Sequence, residues 1–133
     1  MKKIKVFIEK GKDEYSAYME DNDLDYGLIG EGQTVEETMH DFDLAYDGMR
    51  DYYRSIGKPF EEIEYEFFYD TESFLAAYSK TFSLAGLEII TGVNQAQLGH
   101  YLHGRRKPTR KTIDKIQQGV ERFARELTAV RFA

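Results

Sequence analysis

The stretch Leu87–Pro108, LEIITGVNQAQLGHYLHGRRKP, leaves a chain few options. It reads as helix, tight turn, helix, then a basic loop. Gly92 supplies the turn. Asn94 is placed to cap the next helix, and Gln97 three residues on has capping-box spacing. Gly104 falls just past Leu102, where a helix end wants a left-handed residue. Leu98 and Leu102, four apart, point inward. Gln95, Gln97, His100 and Tyr101 are left facing out or at the edge, as on a helix that enters a DNA major groove. The run Arg105-Arg106-Lys107-Pro108-Thr109-Arg110-Lys111 follows, with five cations in seven residues. Such a run suits phosphate neutralisation. The plain structural alternative is a packed helix pair with a solvated basic loop.

Ser83, Leu87, Gly92-Val93, Asn94-Gln95, Leu98, Gly104 and the basic run closing in Pro108 together resemble a phage-repressor-type helix-turn-helix. The segment departs from that pattern at three positions. Glu88 stands where a small alanine is usual, Thr91 where an apolar residue precedes the turn, and Leu84 where a polar residue often touches phosphate.

Charge divides the chain. Residues 1–70 hold eight Lys and Arg against nineteen Asp and Glu, a net of −11, whereas residues 71–133 hold ten against five, a net of +5. This asymmetry predicts partners of opposite charge for the two halves, or halves that simply attract each other. With 133 residues, 41% of them apolar, the chain can bury one core or two small ones. The absence of Cys removes disulfides, thiolate nucleophiles and cysteine-ligated zinc. No apolar run approaches a membrane span, and MKKIKVFIEKGKDE is too charged for a secretory signal, so a cytoplasmic protein without a membrane partner is expected.

In the first half, Ile4, Val6 and Ile8 alternate with Lys3, Lys5, Phe7 and Glu9, which predicts a strand with one buried face. Tyr15, Ala17 and Met19 predict a second strand. Leu24, Tyr26 and Leu28, closed by Gly30–Gly32, predict a third, in an antiparallel meander. Thr34 and Glu37 form a capping box opening a long helix. Its apolar stripe is Val35, Met39, Phe42, Tyr46, Met49, Tyr53 and Ile56, and its other face carries Asp41, Asp47, Asp51 and Arg54. Glu61–Tyr69 predicts a fourth strand, whose sheet leaves a free edge where another chain could pair. In the second half, Asp70 or Thr71 caps a helix over Glu72–Lys80. Thr109 or Thr112 opens a last helix with the stripe Ile113, Ile116, Val120, Phe123, Leu127 and Val130, long enough that part of it could pair with a second copy. The expected class is α+β, with a β-β-β-α-β domain at 1–70 and an all-α helix-turn-helix domain at 71–133.

This order, with Gly30-Glu31-Gly32-Gln33-Thr34-Val35-Glu36-Glu37 and then Thr38 leading into the long helix, resembles the HicB family of antitoxins over nearly the whole chain. The resemblance implies a partial RNase H-like first domain without nuclease activity, which covers a HicA-like basic, mRNA-cleaving toxin. It also implies a second domain that binds the operator and represses its own operon. Glu20–Asp25 lacks the proline-containing sequence common there. The alternative is a solitary helix-turn-helix regulator whose first domain dimerises or senses a ligand.

Catalysis and metal binding are not expected, and neither is a cofactor. Asp21-Asn22-Asp23-Leu24-Asp25 begins like a calcium loop but has Tyr26 where the glycine belongs and Gly32 where the closing glutamate belongs. Glu9, Glu20, Glu64 and Glu66 suit solvent-facing strand positions better than a two-metal nuclease. His100 and His103 lack a third ligand nearby in sequence, and His40 sits among charged neighbours. The expected DNA-facing set is Gln95, Ala96, Gln97 and His100 at base edges and Ser83, His103, Arg105, Lys107 and Arg110 at phosphates, together with Asn94, Tyr101 and Arg106. The expected target is double-stranded DNA, bound as a homodimer or higher homo-oligomer. Asp41, Asp47 and Asp51 are the candidates for contact with a basic partner.

Overall fold

The computed structural model describes residues 1–133 and has α+β architecture, a four-stranded mixed sheet and five helices. The chain divides into two compact units, Met1–Ser73 and Phe74–Ala133, a boundary three residues beyond Asp70.

The first unit contains β1 (Lys2–Lys10), β2 (Tyr15–Met19), β3 (Ile29–Gly32), α1 (Val35–Ser55) and β4 (Ile63–Tyr69). The sheet order is β3-β2-β1-β4. β1 pairs antiparallel with β2, and β2 with β3, as the meander predicts. β4 lies on the far side of β1 and parallel to it, with Ile4 opposite Tyr65 and Val6 opposite Phe67. A parallel neighbour needs a crossover, and α1 provides it. The alternation in β1 buries Ile4, Val6 and Ile8. They join Ala17, Ile63, Phe42, Tyr46 and Tyr53 in one core. α1 starts where Thr34 predicts: its hydroxyl accepts from Glu37 N–H at 3.1 Å. The reciprocal bond is displaced by one residue, because the Glu37 carboxylate accepts from Gln33 N–H at 2.9 Å.

Three sequence expectations are corrected here. Leu24–Leu28 is not strand; β3 covers only Ile29–Gly32. Tyr26 and Leu28 are nevertheless buried. Tyr26 stacks on Phe60 with centroids 4.8 Å apart and its hydroxyl donates to Glu61 O at 2.7 Å. The Tyr53 hydroxyl donates to Asp25 Oδ1 at 3.0 Å. These contacts hold the segment to α1 and to the α1–β4 connection instead of the β2 ladder. Burial pushes the Tyr26 hydroxyl up to about 12, so it stays a neutral donor. Second, the α1 stripe ends early: Ile56 is exposed. Third, the stripe omits Thr38, which is fully buried and donates to Thr34 O at 2.8 Å.

Thr38 lies under Gly30. A Cβ at Gly30 would stand 2.6 Å from Thr38 O and 2.7 Å from Phe42 N, both backbone atoms. The glycine therefore sets how closely β3 approaches α1. Gly30→Ala is expected to destabilise the first unit by about 1–3 kcal/mol. The readout is a lower urea midpoint in far-UV circular dichroism; an unchanged midpoint would mean that β3 does not sit this close to the helix.

The second unit holds most of α2 (Thr71–Ala77), with α3 (Leu84–Thr91), α4 (Gln95–Leu102) and α5 (Arg110–Thr128). Asp70 is the cap of α2, its carboxylate accepting from Ser73 N–H at 2.7 Å. α2 stops at Ala77, short of Lys80, because Thr81 and Phe82 turn back onto Tyr78 O. Leu75, Leu87, Val93, Leu98, Tyr101 and Ile116 form the core of this unit. No helix is long and apolar enough to cross a membrane.

Candidate nucleic-acid interface

α3 and α4 meet at Gly92, which adopts φ +73°, a left-handed conformation that glycine takes without steric cost. Ser83 caps α3, its hydroxyl accepting from Gly86 N–H at 2.9 Å. Leu84 is half-buried beside Gly99, so it serves packing between the two helices. α5 holds the C-terminal end of α3. Lys115 Nζ donates to Gly92 O at 2.8 Å, and Arg122 donates to Ile90 O at 3.2 Å. Cations at a helix C-terminus satisfy its free carbonyls and favour its dipole. The sequence reading missed both. It also missed Gly119, where α5 touches the backbone of Ile90 and Thr91. A glycine on the inward side of a strongly amphipathic helix was the available signal.

The two departures at the turn each have a local reason. Thr91 is buried, but its hydroxyl donates to Leu87 O at 2.7 Å and accepts from Val93 N–H at 3.1 Å. Its polar atom is satisfied, so it fills the position of an apolar residue. Glu88 accepts from Gln95 N–H at 2.7 Å, while Asn94 accepts from Ala96 N–H at 2.8 Å. Two donors at the start of α4 are thus closed by two side chains. The capping box expected between Asn94 and Gln97 does not form, because the Gln97 amide donates to the Tyr101 hydroxyl at 3.1 Å. Glu88→Ala is expected to cost about 0.5–2 kcal/mol of stability by freeing that donor. Amide exchange at Gln95 should accelerate selectively; unchanged protection there would remove Glu88 from the cap.

The DNA-facing set separates into groups. Asn94, Gln95 and Ala96 are exposed at the N-terminal end of α4. Gln97 and His100 are half-buried, and His100 Nδ1 is enclosed without a hydrogen-bond partner, which leaves the other edge of the ring for contact. Tyr101, expected at the exposed edge, is instead 3% exposed and belongs to the core. With one turn of helix between Gln97 and Tyr101, the phenol is drawn in beside Leu98 while its hydroxyl keeps the glutamine as partner. His103, Arg105, Arg106 and Lys107 are all exposed. Their loop is fastened by Gly104, at φ +70°, and by Arg105 N–H donating to His100 O at 2.9 Å. Arg110 is exposed but pairs with Asp114 at 3.0 Å, one helical turn on. A hollow of about 490 Å³ lies between α4 and α5, lined in part by Asn94, Gln97, Thr112 and Lys115.

The acidic candidates in the first unit do not form one free face. Asp41 accepts from Glu31 N–H at 2.8 Å, closing the outer side of β3. Asp47 shares Arg50 with Glu62, at 3.2 and 2.8 Å. Asp51 is 3.8 Å from Arg54.

No protein-family model, no curated protein and no solved structure matches the chain.

Proposed function

We propose that the chain is an antitoxin-like repressor, with a HicB-like, partly RNase H-like first domain and a helix-turn-helix second domain, acting by binding and not by catalysis. The observation that carries this reading is the exposed polar start of α4 followed by a fastened loop whose three consecutive cations, Arg105, Arg106 and Lys107, take part in no ion pair of the chain. Gln95, Ala96 and the open edge of His100 would meet base edges, and the loop would meet phosphates. Ser83 and Asn94 hold the helix starts in place.

A second copy is part of this reading. The stripe on α5 buries Ile116 and half-buries Phe123, but Leu127, in the last turn, is 54% exposed, and Val130, expected on the same stripe, falls past the helix end at Thr128 and is 46% exposed. The last turn and the residues just past it thus keep apolar side chains that the chain itself does not cover. A two-fold dimer predicts half-sites about 34 Å apart or a multiple of it. The acidic first unit supports a basic protein partner of the HicA type, whose gene would be sought beside this one.

Binding to the DNA upstream of the chain's own gene tests the repressor reading, over a salt series and against an unrelated fragment of equal length. The expected result is preference for its own fragment by about 10³-fold or more. Gln95→Ala should relax that preference. Equal, weak binding to both fragments would sink the reading.

A further inference from the structure

The two edges of the sheet are built differently. β3 is short, and α1 closes outward donors at its end: Glu31 N–H by Asp41 at 2.8 Å and, just past the strand, Gln33 N–H by Glu37 at 2.9 Å. Side-chain stoppers of this kind keep an edge from pairing. β4 is seven residues long, contains no proline or lysine, and has its start fastened by the Tyr46 hydroxyl, which accepts from Ile63 N–H at 3.0 Å. From Glu64 to Phe68 no side chain closes its outward row of backbone groups.

The surroundings of β4 are acidic on both faces of the sheet. On the face without a helix stand Glu64 and Glu66, both exposed, beside the ring pair Phe7–Phe68. Lys3 and Lys5 lie in register with the two glutamates on β1 and balance them in part. On the helix side, burial and the bond it donates to Asp43 keep the Tyr65 hydroxyl protonated, and Asp47 lies nearby, where Arg50, shared with Glu62, balances it in part. Residues 59–79 contain six carboxylates and no Lys or Arg.

We propose that the outer edge of β4 receives an extended, lysine- or arginine-bearing strand of a basic partner protein, which joins the sheet as its fifth strand. This deepens the partner-binding role given above to the first unit and rests on it. Backbone hydrogen bonds would give the register, and alternate cations would meet Glu64 and Glu66 on one face and the Asp43–Asp47 rim on the other. A second copy of this chain is a poor occupant. In any antiparallel pairing of β4 with itself that keeps like faces together, Glu64 or Glu66 falls directly opposite a carboxylate or one pair position away, and like charges opposite each other are destabilising.

The test uses the isotope-labelled full chain and three capped octapeptides: alternating Lys-Val, alternating Glu-Val, and the Lys-Val peptide with two of its valines replaced by proline. Amide shifts and exchange rates are followed by NMR. The Lys-Val peptide should shift and protect amides within Ile63–Tyr69. The proline form should bind at least tenfold more weakly, having the same charge but fewer strand donors. The double variant Glu64→Lys/Glu66→Lys should also bind at least tenfold more weakly while keeping its amide spectrum elsewhere and its DNA binding. Four results would each overturn the proposal: no binding of the Lys-Val peptide, equal binding of the proline form, shifts confined to α1 or β3, or concentration-dependent protection of β4 without peptide, which would mean that a second copy occupies the edge. DNA preference is measured separately, so loss of the repressor reading and loss of this edge site are distinguishable.

Discussion

Gly119→Ala is expected to lower the stability of the second unit by about 2 kcal/mol, although alanine is the better helix former. The two effects oppose each other. Inside a helix, glycine to alanine gains about 0.8–1.0 kcal/mol of propensity. Here the new Cβ would stand 2.5 Å from Ile90 O and 2.7 Å from Thr91 Cα, and neither backbone atom can swing aside. α5 would have to lift from α3. That movement strains the bonds from Lys115 to Gly92 O and from Arg122 to Ile90 O, which hold the turn. Overpacking of this kind costs about 1–3 kcal/mol, and the upper end applies when the obstacle is backbone. Gly48→Ala is the control. Gly48 is also helical, in α1, but nothing lies within 4 Å of the Cβ it would gain. That variant should be stabilised by up to about 1 kcal/mol. Urea melts of both variants decide the matter, because opposite signs are required. A Gly119→Ala protein as stable as the parent would mean that α5 packs further from α3.

The contrast between these glycines shows what a sequence can carry. Periodicity revealed β1 and the long helix, because Ile4, Val6 and Ile8, and Phe42, Tyr46 and Tyr53, repeat at the spacing of their elements. Caps at Thr34, Asp70, Asn94 and Thr109 were legible because their bonds are local, whereas the cap made by Ser83 was not read. What depends on distant parts of the chain was not. Tyr26 and Leu28 alternate like a strand, but Tyr26 is drawn to Phe60 and Glu61, more than thirty residues away, and Leu28 is buried in the core outside any strand. Thr38 and Thr91 look polar, yet each hydroxyl bonds a carbonyl four residues back in its own helix, which makes them small core residues. Tyr101 looks amphipathic, and only the packed core shows which way it turns. At the candidate site, the exposed start of α4 and the basic loop were readable from composition and spacing. The Glu88 cap and the use of Asp41 to close β3 needed coordinates.

Replacing Arg105, Arg106 and Lys107 together with alanine is expected to have the largest effect on DNA binding. All three are exposed, and the loop is held by Gly104 and by the bond to His100 O, so the unit should stay folded. Each phosphate contact contributes about 0.9 to the slope of log affinity against log salt. Losing three should flatten the slope by about 2.7. If the electrostatic term vanishes near 1 M salt, the same figure gives a loss of roughly 500-fold at 0.1 M. The preference for the chain's own fragment should survive, because phosphates are the same in every sequence. Arg110→Ala should flatten the slope by less than one contact's worth, since Asp114 already pairs with that guanidinium at 3.0 Å. A triple variant with the parent's slope would place the loop outside the interface. A variant with the expected slope but no remaining preference would instead make the loop a reader of bases, and the start of α4 at Gln95 and Ala96 would lose its assigned role.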